Sequence, residues 1–318
     1  MNATGDDGPR VSTMVGTITS APVPEGTTMS MVPVIGAATS AGAVPEGIVN
    51  PDFFQGALLG VVVKRLGSEA DVIEGTAVVI APGLALTATH VFVGLMSDLA
   101  SGQAFLICIG PKTDSLDIWA VRNVSYTTDD DLAYLSLEPL SAITDGWRFS
   151  CLPLTTRAPA SGEELTVFGF RFDEVRHEGT SYIVAEGDMY AAKGKVTAVY
   201  HPMRDAVRMP FPAIEIACDS LGGMSGGAVL DRDGFVVGIV SSGYPASEGQ
   251  AGTTYAAWVI GALNREVQIP WLPEIYSNPV HVLAIPEPGL HIQGRDALTV
   301  IDNETMEYRI WFRDEGSN

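Results

Sequence analysis

The sequence predicts an all-β protein, and three observations carry that expectation. From Gly56 onward the chain is a succession of short β-branched runs separated by turn residues: ALLGVVVKRL, GTAVVIAPG, LALTATHVF, QAFLICIGP, DIWAVRNVSY, DLAYLSLEP, ELTVFGFRF, GKVTAVY, AIEIAC, GAVLDRDGFVVGIVSS and TTYAAWV. Runs this short and close together suit an antiparallel sandwich or barrel rather than alternating βα units. The turn chemistry agrees: Asp231-Arg232-Asp233-Gly234 stands between GAVL and FVVGIV, where a tight hairpin needs Asp or Gly at positive φ. With 318 residues, the chain has room for one large or two small domains.

Residues 1–50 are rich in Gly, Ala, Pro, Ser, Thr and Met, with no aromatic residue before Phe53. No periodic apolar face there offsets the entropy of ordering, so a flexible leader is expected. The hairpin turn at 231–234 places residues 226–242 on one hairpin. After the last strand, Trp258, Val259, Ala262, Leu263 and Val267 recur at helical spacing within AAWVIGALNREV, which predicts one short helix. The segment 171–193, long and charged, reads as a loop that orders around a partner or substrate. Residues 269–318 begin with Pro-punctuated text and close on LTVI, DNET and MEYRIWF, a hairpin pattern.

Composition excludes several classes of function. The 18 Lys and Arg against 38 Asp and Glu give a net charge of −20, which argues against nucleic-acid binding, where clustered cations supply the affinity. No apolar run approaches the ~20 residues that cross a bilayer. Cys108, Cys151 and Cys218 are odd in number and lack paired short spacings, so buried thiols are expected rather than disulfides or a metal knuckle. The N-terminus lacks a basic and then apolar signal pattern, and a cytoplasmic location is expected. His177, His201, His281 and His291 show no HxxxH or HExxH spacing and read as loop and surface residues, while GDMYAAKGK departs from a phosphate-binding loop. No metal and no cofactor is expected.

Three local patterns bear on chemistry. LTATHVF puts His90 just after an apolar strand, DDDLAYLSL opens a strand at Asp131, and GGMSGGAVL surrounds Ser225 with Gly222, Gly223, Gly226 and Gly227. A lone His at a strand end is usually structural, and an acidic turn is usually a solvated one. The glycine density around Ser225 has a physical use, because a nucleophilic hydroxyl needs a strained, side-chain-free backbone whose N–H groups point at a developing oxyanion. A phosphate-cradling loop is the bland alternative. The order His, Asp, Ser, with 41 residues between the first two and 94 between the last two, argues that the three belong together.

On these motifs, over roughly residues 53–267, the chain resembles the trypsin-like (chymotrypsin-fold) serine peptidases of the bacterial or intracellular branch without disulfides. LTATHVF matches the family's TA-x-H strand, DLAYL its D-[LI]-A-x-L strand, GMSGG its G-x-S-G-G, and GIVSSG the strand that pairs with substrate backbone. FGF and GKVTAV look like its second barrel. The resemblance implies two six-stranded antiparallel β-barrels, over 51–160 and 161–268, followed by a short helix, with a leader at 1–50 and an extension at 269–318. It implies a serine endopeptidase in which Ser225 attacks the peptide carbonyl, His90 relays the proton and Asp131, rather than Asp129 or Asp130, orients the imidazole. The N–H groups of Gly223 and Ser225 would form the oxyanion hole, and Ser241 and Gly243 would hold substrate.

Departures from the family pattern also inform. Met224 stands where secreted members carry an Asp that pairs with a newly cut N-terminus, and no IVGG-like start exists, so activation of that kind is not expected. Asp219, six residues before Ser225, is either a pocket-bottom carboxylate selecting Lys or Arg or a turn residue facing elsewhere. A Glu-preferring pocket would carry His where Val240 stands. The expected partner is a protein or peptide substrate, with neither nucleic acid nor membrane. Two further readings stand beside it: an inactive relative that binds a partner, and a latent enzyme whose terminal segments cover the cleft.

Overall fold

The computed structural model describes residues 12–19, 23, 25–34, 41–48, 54–68, 71–112, 115–127, 129–178, 181–247, 251–271, 273, 275–287, 289–302 and 307–310. Twelve strands make its two barrels. The first six are β1 (Leu58–Arg65), β2 (Val72–Ala81), β3 (Leu84–Thr87), β4 (Ala104–Pro111), β5 (Leu116–Tyr126) and β6 (Ala133–Pro139). They close antiparallel in the order β1-β2-β3-β6-β5-β4. The second six are β7 (Glu164–Glu178), β8 (Tyr182–Tyr200), β9 (Ala213–Ile216), β10 (Ala228–Leu230), β11 (Val236–Tyr244) and β12 (Thr253–Trp258). They run β7-β8-β9-β12-β11-β10, and the β10–β7 pairing closes the ring. The two barrels thus repeat one topology, and closure leaves no strand edge in either ring.

The barrels form as the sequence predicts because their strands contain continuous apolar runs: all six residues from Leu58 to Val63 in β1 are buried, as are the first six of β11 from Val236 to Ser241. Leu58, Leu59, Ile80, Leu84, Leu86, Phe168 and Phe170 are among the largest side chains wholly removed from water. The Asp231 carboxylate accepts the N–H groups of Asp233 and Phe235 across the β10–β11 turn, and Gly234 takes φ +87° there. Cys108, Cys151 and Cys218 are free and buried, and burial raises each thiol's pKa, that of Cys218 to about 11.

Several expectations change in detail. The helix expected over 256–267 shrinks to one 3₁₀ turn, Val259–Ala262, because Ala256–Trp258 complete β12 and Glu266–Val267 pair with Val280–His281. The segment 171–193 belongs to the long β7–β8 hairpin rather than to a loop: its ladder runs from Glu164↔Lys195 to Glu178↔Tyr182 with one irregularity after Phe172. His177 is correspondingly a strand residue whose Nε2 lies 2.8 Å from Asp71, at 18% side-chain exposure.

The terminal segments also carry structure. Of the leader, Ser12–Thr17 and Glu46–Gly47 pair with β8, and Met29–Pro33 runs parallel to Trp147–Cys151. The extension delivers Trp271 into a cluster with Trp119, Trp147 and Phe149, ring centroids 5.5–6.1 Å apart, and its Leu298–Asp302 and Glu307–Ile310 form the expected hairpin. Aromatic edge-to-face contacts of this kind add about 0.5–1.5 kcal/mol beyond area burial. Among the described residues no helix is long and apolar enough to cross a membrane.

The barrels meet through Thr76 of β2, which is fully buried. Its N–H donates to Ser225 O at 2.7 Å, its hydroxyl donates to Gly223 O at 2.8 Å and accepts from Phe170 N at 2.9 Å, and its carbonyl accepts the Thr87 hydroxyl at 2.7 Å. Replacing Thr76 by Val keeps the shape and orphans the Phe170 N–H and the Gly223 C=O. At about 1–3 kcal/mol per buried unpaired group, the expected loss is about 2–6 kcal/mol by denaturant unfolding, with Thr76→Ser recovering most of it.

Candidate active site

The cleft between the barrels encloses about 850 Å³ and is lined by His90, Asp131, Ser225, Ser241, Ser242 and Tyr244 together with the 207–211 segment. His90 opens the one-turn helix His90–Val93 that follows β3. Asp131 ends the turn into β6, and Ser225 lies in the glycine-rich loop between β9 and β10. Three residues far apart in the chain therefore reach one cleft from three loops at the barrel ends.

Asp131 is the acid that reaches the imidazole. Its Oδ2 lies 2.8 Å from His90 Nδ1, its Oδ1 accepts the His90 backbone N–H at 3.0 Å, and Thr89 N–H donates to its carbonyl at 3.3 Å. The Ser241 hydroxyl donates to the same Oδ2 at 2.5 Å. Ser241 reaches it because the β11–β12 register slips between Val240 and Ser242, a bulge that re-aims the side chain. Ser241 thus bonds the acid through its hydroxyl, while exposed Gly243 lies two residues farther along β11.

The loop carrying Ser225 is fixed from below and open above. Met224 is wholly buried, its Sδ accepting the Leu221 N–H at 3.3 Å, so an apolar anchor stands where the secreted members carry their Asp. Gly226 takes φ +83°, and a Cβ there would stand 2.0 Å from Thr76 O, so only glycine passes under β2. Gly223 takes φ +94°. Among the described residues no hydrogen bond engages the N–H groups of Gly223 and Ser225.

Asp219 stands apart from the lining of the cleft. Its Oδ1 accepts Ala246 N–H at 3.0 Å, its own N–H donates to Ala43 O at 2.8 Å, and its carboxylate packs on Gly252. Neither the leader nor the 269–318 extension supplies a lining residue among those described.

Sequence reasoning missed four contributors. Thr76 is one; a buried Thr inside the apolar run GTAVVIAPG is its only trace. Arg265 is another, with a side chain 7% exposed that pairs with Asp130 and donates to Leu132 O. Asp130 in turn accepts Leu132 N–H at 3.0 Å, so this pair clamps the chain on both sides of Asp131. Arg208 and Tyr244 complete the set at the far end of the cleft, where the Arg208 guanidinium donates to Tyr244 Oη at 2.8 Å. The loop presenting Arg208 is set by Asp205, whose carboxyl is held below its ordinary pKa by the N–H groups of Arg208 and Val207, with Arg204 beside it.

Removing Arg265 strands a largely buried Asp130. Arg265→Met is expected to cost about 3–5 kcal/mol by thermal or denaturant unfolding, and adding Asp130→Asn to restore much of it, because the uncompensated charge is then gone.

A model of the trypsin-like peptidase domain matches residues 75–239, just over half of the chain and the stretch that holds His90, Asp131 and Ser225. No curated protein matches. Among solved structures, the active form of the Rv3671c protease from M. tuberculosis is 18% identical over 71% of this chain and 90% of that one, with a TM-score of 0.44. The inactive form of that protease is 20% identical over 66% of this chain and 87% of that one, at 0.41. The HtrA-type protease AlgW with a decapeptide is 18% identical over 66% of this chain and 63% of its own, at 0.46. With the family match running from β2 of the first barrel into β11 of the second, over more than half of its length, the chain belongs to the trypsin-like peptidases and is a serine protease of chymotrypsin-like fold.

Proposed function

We propose that this protease is an endopeptidase working through an acyl-enzyme on Ser225. The observation that carries the reading is the Asp131–His90 pair, 2.8 Å apart, sharing a cleft with Ser225, whose loop holds the N–H groups of Gly223 and Ser225 that no described residue engages. His90 Nε2 takes the Ser225 hydroxyl proton as Oγ attacks the scissile carbonyl, and returns it to the leaving amine when the C–N bond breaks. Water then repeats the cycle on the ester. Asp131, accepting from Nδ1–H and from Ser241, fixes the tautomer and stabilises the imidazolium. The N–H groups of Gly223 and Ser225 meet the oxyanion, where one such donor is worth about 3–4 kcal/mol of barrier.

The substrate is a protein or peptide lying along β11, with Gly243 giving room for its backbone. Cleavage after Lys or Arg requires the Asp219 carboxylate to reach the cleft, whereas its place outside the lining, with Oδ1 on Ala246 N–H, favours the reading of a turn residue that braces its loop. Three buried thiols without disulfides favour a reducing compartment such as the cytoplasm. The domain division at 51–160, 161–268 and 269–318 follows the same reading, with the terminal segments as braces rather than covers. Ala43 O holds the Asp219 N–H and Gly42 O holds the Lys193 N–H.

The test is cleavage of a diverse peptide mixture, read site by site by mass spectrometry. Wild type is expected to cut and Ser225→Ala to lose at least about 10³-fold in rate. Lys or Arg before each cut, lost in Asp219→Asn, supports the carboxylate pocket; small or apolar residues there leave Asp219 as a loop brace. Absence of cleavage by wild type favours a partner-binding module. Deleting residues 1–48 is expected to lower both the unfolding temperature and the cleavage rate, since it removes the Asp219 brace; a rise in rate would instead mark the leader as an inhibitor.

A further inference from the structure

The cleft extends well past Ser225, and its far end is built of groups the reaction does not use. From Ser241, whose hydroxyl reaches Asp131, to Tyr244 is three residues of extended strand, about 10 Å at ~3.3 Å per residue. There the 204–209 loop forms the opposite wall. It is closed by the N–H groups of Arg204 and Asp205 on Met209 O, both at 3.2 Å, and by the Asp205 carboxylate, which accepts Val207 N–H at 3.0 Å and Arg208 N–H at 2.6 Å. Met209 and Phe211 are buried beneath it. Val207 stands 89% exposed at the rim. Beside it the Arg208 guanidinium is steered by Tyr244 Oη, and the Tyr244 ring meets Tyr255 edge-on at 6.1 Å.

Arg208 is the one Lys or Arg among the described residues that line the cleft, in a chain of net charge −20. The acids of that lining are already engaged, Asp131 by His90 and Ser241, and Asp130 by Arg265. Asp205 spends its carboxylate on the loop backbone and on Arg204. Among the described residues no carboxylate lies within ion-pair distance of the Arg208 guanidinium. Its planar fork keeps donors for an incoming group, and a loop already ordered by its own hydrogen bonds loses little freedom on engaging one.

We propose that Arg208, presented by the Asp205-ordered loop and steered by Tyr244, is a specificity-determining residue that selects peptide substrates carrying Asp or Glu two to four residues from the scissile bond, on the side that lies along β11 toward Tyr244. The inference rests on the peptidase reading above and names a substrate feature for it. It differs from the effect of the overall charge, because the acidic body repels carboxylates at long range and independently of their position in the peptide, whereas contact with one guanidinium acts at one register. Val207 adds an apolar contact beside that carboxylate.

The test compares cleavage-site profiles of wild type, Arg208→Gln, Arg208→Glu and Tyr244→Phe on one proteome-derived peptide mixture, with Ser225→Ala as the blank. The readout is Asp over Asn and Glu over Gln at each position around the cut. Wild type is expected to favour the acid about two- to fivefold within the stated window, the range of a partly solvated ion pair. Arg208→Gln should bring that ratio to one, Arg208→Glu should replace it by a preference for Lys and Arg, and Tyr244→Phe should weaken it. Equal unfolding temperatures show that the variants are folded. Cleavage without acid enrichment, enrichment spread over all positions, or enrichment that survives in Arg208→Glu overturns the inference while leaving the peptidase reading intact. Cutting that is absent in wild type, as in the Ser225→Ala blank, overturns both.

Discussion

The junction at Thr76 is the constraint on which the rest of this protein depends. A single buried threonine of the first barrel receives or gives four hydrogen bonds, and two of them hold the carbonyls of Gly223 and Ser225 in the second. The loop that carries Ser225 is thereby registered against β2 and the strand leading to His90, since Thr87 at the end of β3 bonds the same residue. In a dry interface each of these bonds is costly to leave unmade, so the loop has one good position rather than several. Gly226 is the steric counterpart: its missing side chain lets the loop approach Thr76 O as closely as these bonds require.

Around this junction the architecture is doubled. Both barrels follow one strand order and both are closed, so each presents a rigid end from which loops project. His90 and Asp131 come from the first barrel, while Ser225 and Ser241 come from the second. Through the Ser241 hydroxyl and the Asp131 carboxylate the two halves exchange a hydrogen bond within the cleft. The Asp130–Arg265 pair holds the other side of that acid. The turn at Asp131 and the loop at Ser225 are each held by neighbours outside themselves, Arg265 and Thr76.

The terminal segments extend the same logic outward. Strands from the leader lie on β8 and along Trp147–Cys151, and Trp271 from the extension closes an aromatic cluster on the first barrel. Pairing supplies what composition lacks: a stretch such as Met29–Pro33 has no apolar face sufficient to fold by itself, but an existing strand offers it backbone partners and an aromatic floor. The same economy governs the far end of the cleft, where Asp205 orders the loop that presents Arg208.

The barrel strands, the hairpin at 226–242 and the residues His90, Asp131 and Ser225 that meet in one cleft were legible in the sequence because each rests on a local signal: β-branched runs, turn residues, and glycines around a hydroxyl. Local signals also misled, as when the helical spacing of 256–267 proved to be the end of β12 and a 3₁₀ turn, and the charged 171–193 stretch proved to be a strand pair. Thr76, Arg265, Arg208 and the strands of the leader were decided only by the tertiary structure. Thr76 finds Gly223 across 147 residues and Arg265 finds Asp130 across 135, and a residue's worth in such a pair depends on a burial and a partner that no neighbouring sequence encodes.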